Sequence, residues 1–196
     1  MITKEIAAAG TSIWLDDLSR AKLTGTDSLS LPSRIKNSGV VGVTTNPSIF
    51  NAAITGSADY AADIASLKSH SPEEIVKKLT TDDVRKACDL FSEIYSQSSG
   101  VDGRVSIEVD PRLAHDTSAT IAEGKDLWQI VDRPNLMIKV PATLAGLPAI
   151  TELIASGISV NVTLIFSCQR YEQVIDAFIA GIEEALQRGN DASQIH

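Results

Sequence analysis

The chain has little that would mark the commoner functional classes. Among its 196 residues there are only two cysteines, Cys88 and Cys168. They form no CxxC, so neither a disulfide framework nor a zinc cage is signalled. The three histidines, His70, His115 and His196, have no ligand spacing, and His115-Asp116 reads as a solvated pair; no metal site is expected. No GxGxxG or GxxxxGK[ST] occurs, which leaves nucleotide cradles unsupported. No Ser or Cys stands in a nucleophile elbow, and Cys168 is read as a buried structural thiol. No apolar run approaches the 18 or so residues of a membrane span. The opening MITKEIAAAGTSIWLDD meets Glu5 too early, and its apolar stretch is too short, for a signal peptide. Basic residues are outnumbered, 17 against 25 acidic, giving a net charge of −8. A general nucleic-acid binder needs a basic stripe, so that class is excluded. Pro- or Gly-rich linkers and low-complexity segments are also missing. What remains is an acidic, globular, cytoplasmic protein with 43% hydrophobic residues.

What is present alternates. Short apolar, β-branched segments at 12–16, 40–46, 105–110, 136–141 and 159–166 read as strands covered on both faces. Helical patterns separate them. Tyr171, Val174, Ile175, Phe178, Ile179, Ile182 and Leu186 predict one face of a long amphipathic helix. Val84, Ala87, Phe91 and Ile94 predict another. Ser71-Pro72-Glu73-Glu74 is a helix start, with Ser71 as N-cap. The resulting βα units point to a parallel α/β fold.

Spacing narrows the fold. Asp16 to Asn46 is 30 residues and Glu108 to Lys139 is 31, close to the roughly 31 per unit of a TIM-type (β/α)8 barrel. Asn46 to Glu108 is 62, without a convincing strand, so 47–104 is read as a helical insertion between strands two and three. The chain, 1–196, is thus expected to be a single incomplete barrel domain with five of eight strands.

Every expected strand ends in polar groups, where barrel enzymes keep their catalytic residues. These are Asp16, with Asp17 behind it; Thr44 and Asn46; Glu108 and Asp110; Lys139; and Asn161 and Thr163. Period-two geometry places Thr44 with Asn46, and Asn161 with Thr163, on shared faces. Such pairs are expensive in an apolar interior unless something polar binds there. Alone, Asp16 or Asp17 could be an N-cap, Asn46-Pro47-Ser48 a turn into a helix, and Lys139 an edge-strand lysine. Flanked by Leu136, Met137, Ile138 and Val140, however, Lys139 has no edge to guard. A desolvated lysine loses its proton more readily and becomes a nucleophilic amine. Glu108, between Ile107 and Val109, is buried or functional.

A lysine with two carboxylates on separate strands is a class I aldolase arrangement. GVTTNPSIF (42–50), SIEVDPRLAHD (106–116), NLMIKVPAT (135–143), NVTLIFS (161–167) and IWLDD (13–17) together resemble the transaldolase family. DDLSR and RGNDASQIH are similar to its longer, actinobacterial-type bacterial branch. The resemblance implies transfer of a dihydroxyacetone unit from sedoheptulose 7-phosphate or fructose 6-phosphate to erythrose 4-phosphate or glyceraldehyde 3-phosphate, in the pentose phosphate pathway. It implies a Schiff base on Lys139 and a proton taken from the C4 hydroxyl by Asp16. It further implies a proton shuttle by Glu108 through a water held by Thr163, with Thr44, Asn46 and Asn161 on the three-carbon unit. No cofactor is implied.

Two other readings stay open. The fructose-6-phosphate aldolase branch shares the TTNPS and IKVP wording; it resembles this chain less, having glutamine at the position of Glu108 and a shorter second-to-third strand interval. The other is an inactive barrel fragment. The resemblance places phosphate-binding residues beyond His196, so the remaining strands are expected from a C-terminal remainder or a second chain.

Overall fold

The computed structural model describes residues 2–196. Five strands, β1 (Trp14–Asp16), β2 (Gly42–Thr44), β3 (Arg104–Glu108), β4 (Leu136–Pro141) and β5 (Val160–Thr163), are separated by helices. They follow the sequential order β1-β2-β3-β4-β5 in a parallel sheet, the order of the first half of a (β/α)8 barrel. The chain divides into two compact units. One holds the residues as far as Val105 together with Arg133–Asn135; the other holds Ser106–Asp132 and Leu136–His196.

In the first unit, helices α1 (Ile2–Ala8), α2 (Arg20–Thr24) and α3 (Leu31–Ser38) flank the two short strands. Between β2 and β3 come α4 (Pro47–Gly56), α5 (Ala61–Ser66) and the 26-residue α6 (Pro72–Gln97), and among the described residues no strand. The start of α6 follows the sequence: Ser71 Oγ accepts from Glu74 N–H at 3.2 Å, and Glu74 Oε2 accepts from Ser71 N–H at 2.8 Å. These reciprocal bonds satisfy backbone donors that a helix start leaves open. Val84, Ala87 and Phe91 are buried as their spacing predicts.

A buried polar cluster ties α2 to α6. Asp83, wholly buried on α6, accepts from Tyr60 Oη at 2.7 Å and from Arg20 Nε at 3.1 Å. The Arg20 guanidinium sits 4.5 Å from the Tyr60 ring centroid and pairs with Asp63. Burial, and then the bond to Asp83, raise the Tyr60 hydroxyl above its ordinary range. A charge this deep is tolerable only when it is so fully paired.

In the second unit, α7 (Thr117–Val131), α8 (Gly146–Ala155) and α9 (Cys168–Gln187) pack in sequence around β4 and β5. Ile138, Val140, Ile150, Leu153 and Ile154 form its core. The expected face of α9 is corrected here. Its buried residues are Val174, Ala177, Gly181 and Ala185, while Tyr171, Ile175, Phe178, Ile179 and Leu186 are exposed. Small residues decide this: a Cβ at position 181 would lie 2.7 Å from Ile154 Cβ, so only glycine lets α9 approach α8 this closely.

The fifth strand is shorter than its apolar run. It stops at Thr163 because Leu164 takes φ +62°, a left-handed conformation that ends extended pairing. Phe166 is then left 86% exposed. Cys168, expected to be buried, is exposed at the first position of α9. Cys88 is the buried thiol, pushed up to about 12 by desolvation. No helix among the described residues is long and apolar enough to cross a membrane.

Candidate active site

Four of the expected site residues fall in the second unit, and backbone register brings them together. Lys139 lies opposite Asn161, and Pro141 opposite Thr163, along the β4–β5 ladder. Alternation therefore sets Lys139, Asn161 and Thr163 on one side of the two strands. Val109 N–H donates to Lys139 O at 3.1 Å, joining the end of β3 to β4. Glu108 Oε2 then comes 3.4 Å from Lys139 Nζ, with the two side chains 12% and 13% exposed. An amine and a carboxylate are thus held side by side in a mostly water-free setting.

Asn161 is itself oriented. Its Nδ2 donates to Ser106 Oγ at 2.9 Å, and Ser106 is wholly buried. Sequence reading missed Ser106, although the signal was available. It lies two residues before Glu108, so alternation alone puts both on one face of β3.

The first unit assembles Asp16, Thr44 and Asn46. Asp16 pairs in register with Thr44 across the β1–β2 ladder. The Thr44 hydroxyl is shielded from solvent and has no hydrogen-bond partner among the described residues. Asn46 caps α4, its Oδ1 accepting from Ile49 N–H at 3.0 Å. The turn reading of Asn46-Pro47-Ser48 is therefore realised, and one end of the amide is committed to the backbone. The N-cap reading of Asp16 or Asp17 is not realised, because Ser19 caps α2. Asp17 pairs instead with Lys22. Burial holds the Lys22 ammonium below the ordinary lysine range, and Arg34 nearby lowers it further.

Asp110, another strand-end residue, serves its own loop by accepting from the backbone and side chain of Arg112 at 2.8–3.0 Å. Among the described residues no three His, Cys, Asp or Glu side chains are grouped to hold a metal ion. Chemically, the second unit offers a shielded primary amine, a carboxylate within reach of it, and a fixed amide beside it.

Comparison with known proteins agrees with the motif wording. A family model described as Transaldolase/Fructose-6-phosphate aldolase matches residues 13–194. The chain is 56% identical over 194 residues to a transaldolase of Mycolicibacterium smegmatis and 57% identical over 194 residues to one of Acidothermus cellulolyticus. It is 55% identical over 193 residues to one of Mycobacterium tuberculosis. Each alignment covers 97% of this chain and 51% of the relative, so the chain spans about half the length of the curated relatives it matches. The chain belongs to the transaldolase/fructose-6-phosphate aldolase family.

Proposed function

We propose that this chain carries the Schiff-base half of a transaldolase, which moves a dihydroxyacetone unit between sugar phosphates. The observation that carries the reading is the Lys139–Glu108 pair, 3.4 Å apart and shielded from water. Lys139 Nζ, as the free amine, attacks the ketose C2 carbonyl to give a carbinolamine. Loss of water leaves an iminium, into which the C3–C4 bonding electrons flow as that bond breaks. Glu108 relays protons to and from the carbinolamine oxygen, which must leave as water. Asn161, its amide tethered to Ser106 Oγ, hydrogen-bonds a hydroxyl of the three-carbon unit. Proton removal by Asp16, water positioning by Thr163 and hydroxyl binding by Thr44 and Asn46 are assigned on the family resemblance.

The surrounding biology follows the same reading: a pentose phosphate pathway enzyme of the cytoplasm. Because the relatives are about twice as long, we assign the rest of the barrel to a C-terminal remainder or a second chain. On β5, Val160 N–H donates to His196 O at 2.8 Å. The test supplies fructose 6-phosphate with and without erythrose 4-phosphate to the protein at the relatives' length. Sedoheptulose 7-phosphate formed only with acceptor supports transaldolase. Free dihydroxyacetone at the same rate in both supports the aldolase branch instead.

A further inference from the structure

Glu108 is the last residue of β3, so its position against Lys139 depends on what holds the chain just beyond it. Val109 N–H donates to Lys139 O at 3.1 Å, on the β4 side. The next amide, Asp110 N–H, donates at 2.8 Å to Glu123 Oε2, a side chain of α7. Pro111 has no N–H, and Arg112 N–H turns back to Asp110 Oδ1. Of the amides at 110–112, Asp110's is therefore the one that reaches another element. A carboxylate accepting from a backbone N–H is charge-assisted and among the stronger hydrogen bonds. Glu123 thus prolongs, by one residue, the tethering that β3 loses where it ends.

The same side of α7 grips the loop further on. Thr120, buried and one turn before Glu123, donates from Oγ1 to Leu113 O at 2.9 Å. Thr143, just past β4, donates from Oγ1 to Ala114 O and accepts from Gly146 N–H at 2.8 Å. The exit of β3 is tied to α7 on one side and to the exit of β4 on the other. Glu123 makes the tie closest to the reacting pair, two residues from Glu108. Its place on the helix suits the task, since it borders the buried stripe of Thr120, Gly124 and Leu127.

We propose that Glu123 is a positioning residue for the Schiff-base chemistry: by holding Asp110 N–H, it sets where the Glu108 carboxylate meets Lys139 Nζ. Its consequence for the reaction rests on the function proposed above; the setting of Glu108 does not.

The test uses the isotopically labelled protein at the relatives' length and two readouts. Borohydride trapping with fructose 6-phosphate gives the rate of imine formation. The side-chain carboxyl carbon resonance of Glu108 reports its surroundings without any reaction. Glu123→Ala should slow maximal trapping by about tenfold or more, leave the half-saturating sugar concentration unchanged, and shift the Glu108 resonance. Glu123→Gln, which keeps a carbonyl acceptor, should return both towards wild type. Adding Glu123→Ala to Glu108→Gln should cost no further rate, because the effect passes through Glu108. If Glu123→Ala does not fold, Glu123→Leu takes its place. An unmoved Glu108 resonance, an unchanged trapping rate, a loss that Glu123→Gln shares, or a full additional loss in the double variant overturns the positioning role. No adduct in wild type overturns the Schiff-base reading instead, and the Glu108 resonance then decides the positioning role alone.

Discussion

Glu108 Oε2 stands 3.4 Å from Lys139 Nζ on the neighbouring strand. That is longer than the 2.7–2.9 Å or so of a tight charge-assisted bond, yet close enough for one water or a substrate oxygen to bridge. Glu108→Gln keeps the shape and removes the exchangeable carboxylate. It should slow imine formation with fructose 6-phosphate by about 10²–10⁴-fold, read as borohydride-trapped protein against time. An unchanged trapping rate removes Glu108 from the proton relay.

Ser106→Ala deletes the acceptor that fixes the Asn161 amide. The fold should survive, since the hydroxyl is replaced by a smaller apolar group in a buried strand. The concentration of fructose 6-phosphate giving half-maximal trapping should rise by about tenfold, with the maximal trapping rate changed less. Loss of rate at unchanged half-saturation would argue that Asn161 acts in the chemical step rather than in binding.

The cluster around Asp83 should matter for stability. Tyr60→Phe removes a hydroxyl that donates to Asp83 and accepts from Arg20 N–H, leaving buried groups unsatisfied at a cost of about 1–3 kcal/mol. Asp83→Ala takes the buried acceptor from both Tyr60 Oη and Arg20 Nε, leaving Arg20 only its pairing with Asp63, and should cost about 3–5 kcal/mol. Urea titration of both variants checks the ranking, and a smaller loss for Asp83→Ala than for Tyr60→Phe contradicts it.

Acid should loosen the α7–α9 layer. Bonds from Arg188 and then Lys125 hold Glu152 at about 2, against an ordinary value of 4.5. The folded value is depressed, so the associated stability is present above about 4.5 and is lost as pH falls towards 2. Wild type should be more stable than Glu152→Gln at neutral pH, and the two unfolding curves should converge between pH 4.5 and 2. A constant gap across that window rules out the linkage.

Much of this was legible in the residues, for identifiable reasons. Strand positions and the Ser71–Glu74 helix start are local signals, carried by β-branched runs and by capping chemistry. Lys139, Glu108, Thr44 and Asn161 stood out because polar groups in apolar strands are costly. Three things were not readable. The burial face of α9 depends on how closely Gly181 lets it approach Ile154, a tertiary fact that hydrophobic period alone misses. The Lys22–Asp17 pair joins a helix to the segment after a strand, and the period within one element does not report which residues of another it meets. The end of β5 turns on the left-handed Leu164, and nothing in an apolar Thr-Leu-Ile-Phe run announces it.

The identity of the amine that reacts tests the Schiff-base mechanism most directly. Fructose 6-phosphate is incubated with the protein, sodium borohydride is added, and the adduct is located by peptide mapping. A Schiff base on Lys139 gives a single reduced dihydroxyacetone or hexose adduct there, absent in Lys139→Arg and absent without sugar. An adduct on another lysine, or its persistence in Lys139→Arg, would contradict it.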